Sequence, residues 1–234
     1  AYRIPVGDAV SVINNIYDNC PELFHIEKMG YSYMGGYILN LVFEYNCTAE
    51  EYAVMIEEIE AVAEELLKDI KGNDSLDDVQ KALLVHDRLA ILCEYDYDRY
   101  LNGIMPDESY TMYGALVKNI AVCQGYATLF YRLALEAGVD CRYITGFAGE
   151  YHAWNLVKLE GDYYYLDTTW GDQSDTDKSK SSDRISYDCF CITTDELLRL
   201  ADHEPEENLK LPVCTATSRK QMAWSREWKL PSRC

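Results

Sequence analysis

The sequence lacks any long hydrophobic run and is poor in basic residues. No stretch approaches the roughly 18 consecutive apolar residues that a membrane-spanning helix needs, so no membrane span is expected. Lysine and arginine together number 21 against 40 aspartates and glutamates, which gives the 234-residue chain a formal net charge of −19. Because nucleic acids are bound mainly through basic side chains that displace counterions from phosphates, this charge excludes nucleic acid as an expected partner.

The cysteines lack the regular spacing of a disulfide scaffold. There are nine of them, and an odd number leaves at least one thiol free in a monomer. A chain of this length buries enough apolar surface to fold without disulfides or a metal. The sequence begins without a methionine or a hydrophobic signal region, so we expect that an export signal has been removed.

Hydrophobic periodicity predicts a helical first half and a strand-rich second half. Capping boxes at Thr48–Glu51 and Ser75–Asp78 predict two helices, because apolar residues follow each box at helical spacing. The other predicted elements are helices at 9–18, 111–118 and 123–137 and strands at 37–45, 141–147, 151–159, 163–168 and 186–192. Helices followed by sequential antiparallel strands predict an α+β fold.

We expect one compact unit built from three consecutive parts. These are an N-terminal helix, strand and long-helix subdomain at 1–72, a central core at 73–172, and a polar loop, closing strand and basic tail at 173–234. A Tyr-rich loop at 95–110 separates the helical front from the rest of the chain. The stretch 172–184 contains no apolar residue and is predicted to be a mobile loop.

Cys123 occupies the first position of a predicted helix. At a helix start, the free backbone N–H groups and the positive end of the helix dipole stabilise a thiolate, the nucleophilic form of cysteine. The alternative interpretation is a small buried apolar residue. Of the four histidines, His152 lies in a predicted strand and is the candidate base, whereas His86 falls on the buried stripe of a helix and is interpreted as a core residue.

The predicted hairpin places Asp167 beside His152. A two-residue turn at Glu160–Gly161, or a four-residue loop, pairs residues whose numbers sum to 321, so that Asp167 faces Trp154. His152 and Asp167 are then diagonal neighbours on one face, within reach of a hydrogen bond, whereas a three-residue loop would put them on opposite faces. With Cys123 as nucleophile, His152 as base and Asp167 as the orienting carboxylate, the arrangement suits acyl transfer.

Acyl transfer also needs hydrogen-bond donors for the oxyanion. The backbone N–H of Cys123 is the first candidate, and the sequence leaves the second open. The candidates for the second donor or for substrate contact are Gln124, Trp154, Tyr110 and Tyr113. Trp154 and Trp170 either line a peptide-binding groove or belong to the core, and the core is favoured for Trp170.

The chain resembles the transglutaminase-like superfamily in several ordered motifs. They are GALV at 114–117, VCQGYA at 122–127, HAWN at 152–155 and YLDTTW at 165–170. The resemblance covers about residues 75 to 170 and implies a papain-like α+β fold with helices packed on an antiparallel sheet. It also implies that Cys123 is the nucleophile, His152 the base and Asp167 the orienting residue, and we expect neither a cofactor nor a resident metal.

Four hypotheses for the function follow. The leading one is a thiol hydrolase of the cysteine peptidase or amidase type, acting on a peptide or protein substrate, because water needs no dedicated acceptor site. The alternatives are a protein-crosslinking acyltransferase, a non-catalytic surface binding module, and a zinc site built from Cys189 and Cys191 with His152 or Cys141. The resemblance also implies that many bacterial relatives are secreted or surface-attached, so an extracellular or cell-envelope location is expected. A cytoplasmic location and the oligomeric state are left open.

Overall fold

The computed structural model of the protein describes residues 3–174, 184–200 and 202–217. The helices are α1 (Val6–Asn19), α2 (Ala49–Leu67), α3 (Asp78–Leu92), α4 (Tyr97–Asn102), α5 (Cys123–Glu136), α6 (Thr168–Gly171) and α7 (Thr194–Leu200). The strands are β1 (Ile26–Met34), β2 (Tyr37–Tyr45), β3 (Glu94–Tyr95), β4 (Ile120–Ala121), β5 (Asp140–Phe147), β6 (Tyr151–Leu159), β7 (Asp162–Leu166) and β8 (Glu204–Pro205). Within the described ranges, no helix is both long and apolar enough to cross a membrane.

The core lies between a four-stranded antiparallel sheet and three helices. The sheet has the strand order β7-β6-β5-β8, and α5 packs on its two central strands. Ile59 from α2, Phe130 from α5 and Val157 from β6 are completely buried in one cluster. His86 of α3 is also completely buried, with its Nδ1 3.1 Å from Asp87 Oδ1. The predicted α+β fold, with helices packed on an antiparallel sheet, is confirmed.

The register of the β6–β7 hairpin agrees with the predicted one. Asn155 pairs with Leu166 and Leu159 pairs with Asp162, so each pair of facing residue numbers sums to 321. The connection is the two-residue turn Glu160–Gly161. Because side chains alternate between the two faces of a sheet, this register decides which side chains of the two strands meet.

The helix starts follow the predicted chemistry, with one correction. The Thr48–Glu51 capping box is present, with both reciprocal hydrogen bonds. The second box is Asp77–Gln80, so the predicted Ser75–Asp78 box is wrong. Ser75 instead bonds Asn73 Oδ1 through both its backbone N–H and its hydroxyl, within the turn before the helix.

The predicted strand at 186–192 is wrong. Its end makes only an isolated bridge, between Ile192 and Tyr165, because the chain turns there and Cys191 has a positive φ of 55°. Strands β1, β3, β4 and β8 and helices α4, α6 and α7 were not predicted. Helix α4 lies inside the Tyr-rich segment that was expected to be a loop. The polar loop lies mostly outside the described residues, as does most of the basic tail, while the three-part division of the chain stays a prediction.

Strand β8 docks on the end of β5 at a glycine. Gly146 pairs with Pro205, and a Cβ at this position would lie 2.2 Å from the Glu204 carbonyl oxygen and 2.5 Å from Cη2 of Trp154. Both distances are far below van der Waals contact. Only glycine therefore allows the β8 backbone and the indole of Trp154 to approach this strand together.

We expect Gly146→Ala to lower the free energy of unfolding by about 1–3 kcal/mol, because the added methyl group overpacks this contact. Urea denaturation of the purified protein measures the change. Gly7→Ala in α1 is the matched control, since a Cβ there meets nothing within 4 Å and alanine favours a helix. Equal losses of stability in the two variants would contradict the close packing of β8 on β5.

Candidate active site

Cys123 is the first residue of α5 and is partly exposed. Its preceding residue, Val122, occupies the N-cap position in an extended conformation, and no side chain of the described residues caps this helix. The N–H groups of the first turn are therefore available to a negative charge, and the helix dipole adds to their effect. The predicted position of Cys123 at a helix start is confirmed.

A glycine lets the neighbouring loop approach the start of α5. A Cβ at Gly125 would lie 2.8 Å from Ala121 Cβ, 2.9 Å from the Thr111 carbonyl oxygen and 3.0 Å from the Ser109 carbonyl oxygen. The Ser109 oxygen also accepts a hydrogen bond of 2.9 Å from the backbone N–H of Val122. Glycine in the third position of the helix thus holds the segment 107–111 against the turn that carries Cys123.

The Tyr-rich segment is anchored by a buried carboxylate. Asp96 is 2% exposed, and its Oδ2 accepts hydrogen bonds from the Ser109 hydroxyl at 2.6 Å and from Arg99 Nη1 at 3.1 Å. The parallel pairing of β3 with β4 sets Tyr95 beside Ala121, two residues before the cysteine. Burial raises the pKa of Tyr95, and the nearby Cys123 raises it further. Tyr95 was not among the candidate site residues predicted from the sequence, which placed it in the Tyr-rich loop.

His152 and Asp167 form the hydrogen bond that the hairpin register predicts. His152 Nε2 lies 2.8 Å from Asp167 Oδ2, and the two residues are 6% and 3% exposed. Asp167 follows directly after β7 and is the N-cap of α6, where its Oδ1 accepts the backbone N–H groups of Thr169 at 2.8 Å and of Trp170 at 3.2 Å. The carboxylate is therefore fixed by the backbone on one oxygen and by the imidazole on the other.

A second histidine, which sequence reasoning missed, joins this pair. His203 is completely buried, and its Nε2 lies 2.9 Å from the same Asp167 Oδ2. No periodicity or motif marks it in the sequence. His152, Asp167 and His203 also form the one described group of three potential metal ligands, with ligand atoms all within 4.8 Å of one another. The distances from the two Nε2 atoms to Asp167 Oδ2, 2.8 and 2.9 Å, are those of direct hydrogen bonds.

The charges in this cluster reinforce one another. Burial favours the uncharged form of the Asp167 carboxyl, but the contacts with His152 and His203 outweigh this effect and hold its pKa well below its usual range. Burial likewise lowers the pKa of His152, yet the charge and hydrogen bond of Asp167 outweigh this effect, and the side chain of Cys123 adds to them. The net pKa of His152 is raised, so the protonated imidazole is favoured.

The four candidate substrate or oxyanion residues separate into two groups. Gln124 and Tyr110 line a cavity of about 440 Å³ between the start of α5 and the segment 17–28. Trp154 is 1% exposed and stacks on His152 at a ring distance of 5.9 Å. Tyr113 is 5% exposed, and its hydroxyl donates to Glu58 at 2.7 Å. The structure thus leaves Gln124 and Tyr110 accessible to a substrate.

The expectation that Trp170 belongs to the core is wrong. Trp170 is 41% exposed, because the short helix α6 turns its indole outward beside the His152 and His203 rings. The proposed zinc ligands Cys189 and Cys191 are both buried, and in the part of the chain that the structure describes they form no three-ligand group with His152 or Cys141. No disulfide joins any two of the eight described cysteines.

Comparison with known proteins identifies the core of the chain. Residues 62–168 match the family model of the transglutaminase-like superfamily, which confirms the resemblance read from the motifs. Kyphoscoliosis peptidase from Mus musculus is 37% identical over 97 residues, and that from Homo sapiens is 39% identical over 98 residues. Each match covers 36% of this chain, and the chain spans only 14% of the length of either relative.

Among solved structures, the chain is similar to the crystal structure of a TGase. The two are 14% identical and superimpose with a TM-score of 0.42, over 72% of this chain and 49% of the other.

The buried pair predicts a defined pH dependence of stability. The lowered pKa of Asp167 stabilises the folded state above its unfolded value of about 3.9, and this contribution is lost as the pH falls through the lowered pKa. The raised pKa of His152 stabilises the fold below its unfolded value of about 6.5, and this contribution is lost as the pH rises through the raised pKa. Both contributions are complete between about pH 4 and 6.5.

We therefore expect Asp167→Asn to reduce the free energy of unfolding by about 3 kcal/mol between pH 4 and 6.5, and by less outside that window. Urea denaturation at a series of pH values measures the difference. Asp69→Asn is the control, because its salt bridge to Arg88 lies at the surface and contributes less than about 1 kcal/mol. A loss for Asp167→Asn that does not vary with pH would contradict the charged pair.

Proposed function

We propose that this chain, in which residues 62–168 form a transglutaminase-like core, is a thiol-dependent hydrolase of the cysteine peptidase or amidase type. In this proposal Cys123 is the nucleophile, His152 the general base and Asp167 the residue that orients the base. The observation that carries the proposal is the 2.8 Å hydrogen bond between His152 and Asp167 at the site where α5 begins with a partly exposed cysteine. The name peptidase, borne by the two curated relatives, agrees with this chemistry.

The first step forms an acyl-enzyme. His152 accepts the thiol proton of Cys123, and the thiolate attacks the carbonyl carbon of the substrate amide. A C–S bond forms while the carbonyl π electrons move to oxygen. Because Nε2 of His152 is held by Asp167, the proton goes to Nδ1. When the carbonyl re-forms, the C–N bond breaks and the imidazolium gives its proton to the leaving amine.

The second step returns the free enzyme. Water attacks the thioester carbonyl while His152 accepts one of its protons, and the C–S bond then breaks to release the carboxylic acid. The thiolate of Cys123 is restored beside the imidazolium. Cys123 is partly exposed, so water reaches the thioester without a dedicated channel. This exposure favours hydrolysis over transfer to an amine.

The surroundings of the cysteine supply the remaining requirements. The free N–H groups in the first turn of α5 provide donors for the oxyanion, and the dipole of a 14-residue helix strengthens them. The cavity lined by Gln124 and Tyr110 lies beside the first turn of α5 and offers a binding place for a part of the substrate away from the scissile amide, since Cys123 is not among its lining residues. A peptide or protein substrate fits an open cavity of this kind.

The proposal predicts unusual reactivity of Cys123 at low pH. The raised pKa of His152 favours transfer of the Cys123 thiol proton to its imidazole, which leaves a thiolate beside an imidazolium. We therefore expect fast alkylation by chloroacetamide at pH 6–7, below the roughly 8.5 at which an ordinary thiol ionises. Peptide mass spectrometry separates this rate from those of Cys20 and Cys47, which are also partly exposed. In His152→Ala we expect the Cys123 rate to fall at least tenfold at pH 6.5. The proposed function would be contradicted if the alkylation rate of Cys123 in the wild type rises only near pH 8 to 9 and is unchanged in His152→Ala.

A second experiment separates hydrolysis from transfer. The protein is incubated with a glutamine-containing protein substrate and a labelled primary amine, and both ammonia release and label incorporation are measured. We expect ammonia release without incorporation, because water has open access to the site. Cys123→Ala is the control in both assays. Label incorporation that disappears in Cys123→Ala would instead favour the crosslinking acyltransferase.

A further inference from the structure

Asp167 is bound by two imidazoles, and one of them has no place in the proposed reaction. His203 Nε2 lies 2.9 Å from Asp167 Oδ2, the same oxygen that contacts His152. His203 belongs to the segment between α7 and β8, well beyond the 62–168 core. The part of the chain that follows the core therefore adds a residue to the centre of the candidate site.

The four contacts of Asp167 use its whole capacity as an acceptor. Oδ1 accepts the backbone N–H groups of Thr169 and Trp170, and Oδ2 contacts the two imidazoles. An ionised carboxylate has about four lone-pair positions and no proton to donate. Every contact must therefore come from a donor, and removing one leaves a buried acceptor unsatisfied.

This count fixes where the imidazole protons reside. Because the Asp167 carboxylate only accepts, both His152 and His203 carry a hydrogen on Nε2. The neutral form of His152 then has its lone pair on Nδ1, the nitrogen left for the thiol of Cys123. The tautomer required of a base is thus set by the orientation of one carboxylate.

The position of His203 does not depend on Asp167 alone. Its ring makes edge contacts with Trp154 and Trp170, each at a centroid distance of 4.8 Å, and with His152 at 5.1 Å. Its backbone N–H donates to the carbonyl oxygen of Leu197 in α7 at 3.3 Å. Packing therefore holds the imidazole in place, so that its N–H is aimed at the carboxylate before any substrate binds.

We propose that His203 is a positioning residue that fixes the Asp167 carboxylate and, through it, the tautomer of His152. The inference rests on the proposed function for its catalytic consequence, but the positioning itself is a property of the free protein. The essential feature is the N–H donor of His203, and the ring provides the packing that holds this donor in place. Among the described residues, the backbone donors to Asp167 reach Oδ1, and the two imidazoles are the donors to Oδ2.

Two substitutions separate the donor from the ring. His203→Gln keeps an N–H at about the reach of Nε2 but removes the aromatic ring. His203→Phe keeps the ring contacts with Trp154 and Trp170 but removes the donor. A merely structural role would favour phenylalanine over glutamine, whereas a positioning role requires the opposite order.

The first measurement is the alkylation rate of Cys123 by chloroacetamide at pH 6.5, with Cys47 in the same sample as the internal reference. We expect His203→Phe to lower the Cys123 rate about tenfold, the size expected for the loss of one hydrogen bond to a charged group, and His203→Gln to stay within about threefold of wild type. The rate for Cys47 should not change. A rate in His203→Phe that equals or exceeds that in His203→Gln would overturn the inference.

The second measurement is the ¹⁵N NMR signature of His152 along a pH series that ends above its raised pKa, because only the neutral imidazole has a tautomer. It needs no substrate. We expect a hydrogen on Nε2 in wild type and in His203→Gln, and a mixture of tautomers in His203→Phe. This result supports the positioning role even if wild-type Cys123 reacts no faster than Cys47. Such a slow reaction of Cys123 would contradict only the proposed function. An unchanged His152 tautomer in His203→Phe overturns the inference whatever the rate of Cys123.

Discussion

The candidate site depends on the burial of one carboxylate. Asp167 is 3% exposed, and a buried carboxylate stays ionised only where donors replace the water that it has lost. The donors come from three separate parts of the chain: the turn into α6, strand β6, and the segment between α7 and β8. The hydrogen bonds to the Asp167 carboxylate therefore connect the C-terminal part of the chain to the sheet.

Close backbone packing at two glycines allows the segments that carry the site residues to approach one another. Gly146 lets β8 and Trp154 lie against β5, and Gly125 lets the segment 107–111 lie against the start of α5. Each glycine stands where a methyl group would meet a backbone oxygen at 3.0 Å or less. The histidine cluster and the cysteine are thus brought to one place by contacts that tolerate no side chain.

The thiols of this protein differ because their surroundings differ. Burial raises the pKa of Cys141 and Cys191, and it raises that of Cys214 to about 11, so these thiols stay protonated and unreactive. Cys123 instead has the end of a helix on one side and a histidine that favours its protonated form on the other. The same chemical group is a core residue in one position and a candidate nucleophile in another.

The sequence alone determined the local features of the site. Helical periodicity placed Cys123 at the start of a helix, and the turn signal at Glu160–Gly161 indicated the register that brings His152 and Asp167 together, with a three-residue loop as the alternative. The structure has the two-residue turn. These features follow from interactions between residues near one another in the chain. The capping signal of α3 was misplaced by two residues because Ser75, Asp77 and Asp78 are all suitable caps.

Only the tertiary structure decided the contacts between distant segments. His203 reaches Asp167 because α7 and β8 fold back over the end of the sheet, and a lone histidine carries no pattern that announces such a contact. The exposure of Trp170 and the burial of Trp154 likewise depend on what packs around them. Hydrophobic periodicity predicts which face of a helix or strand is buried. Which group a buried polar side chain bonds depends on how distant segments of the chain pack together.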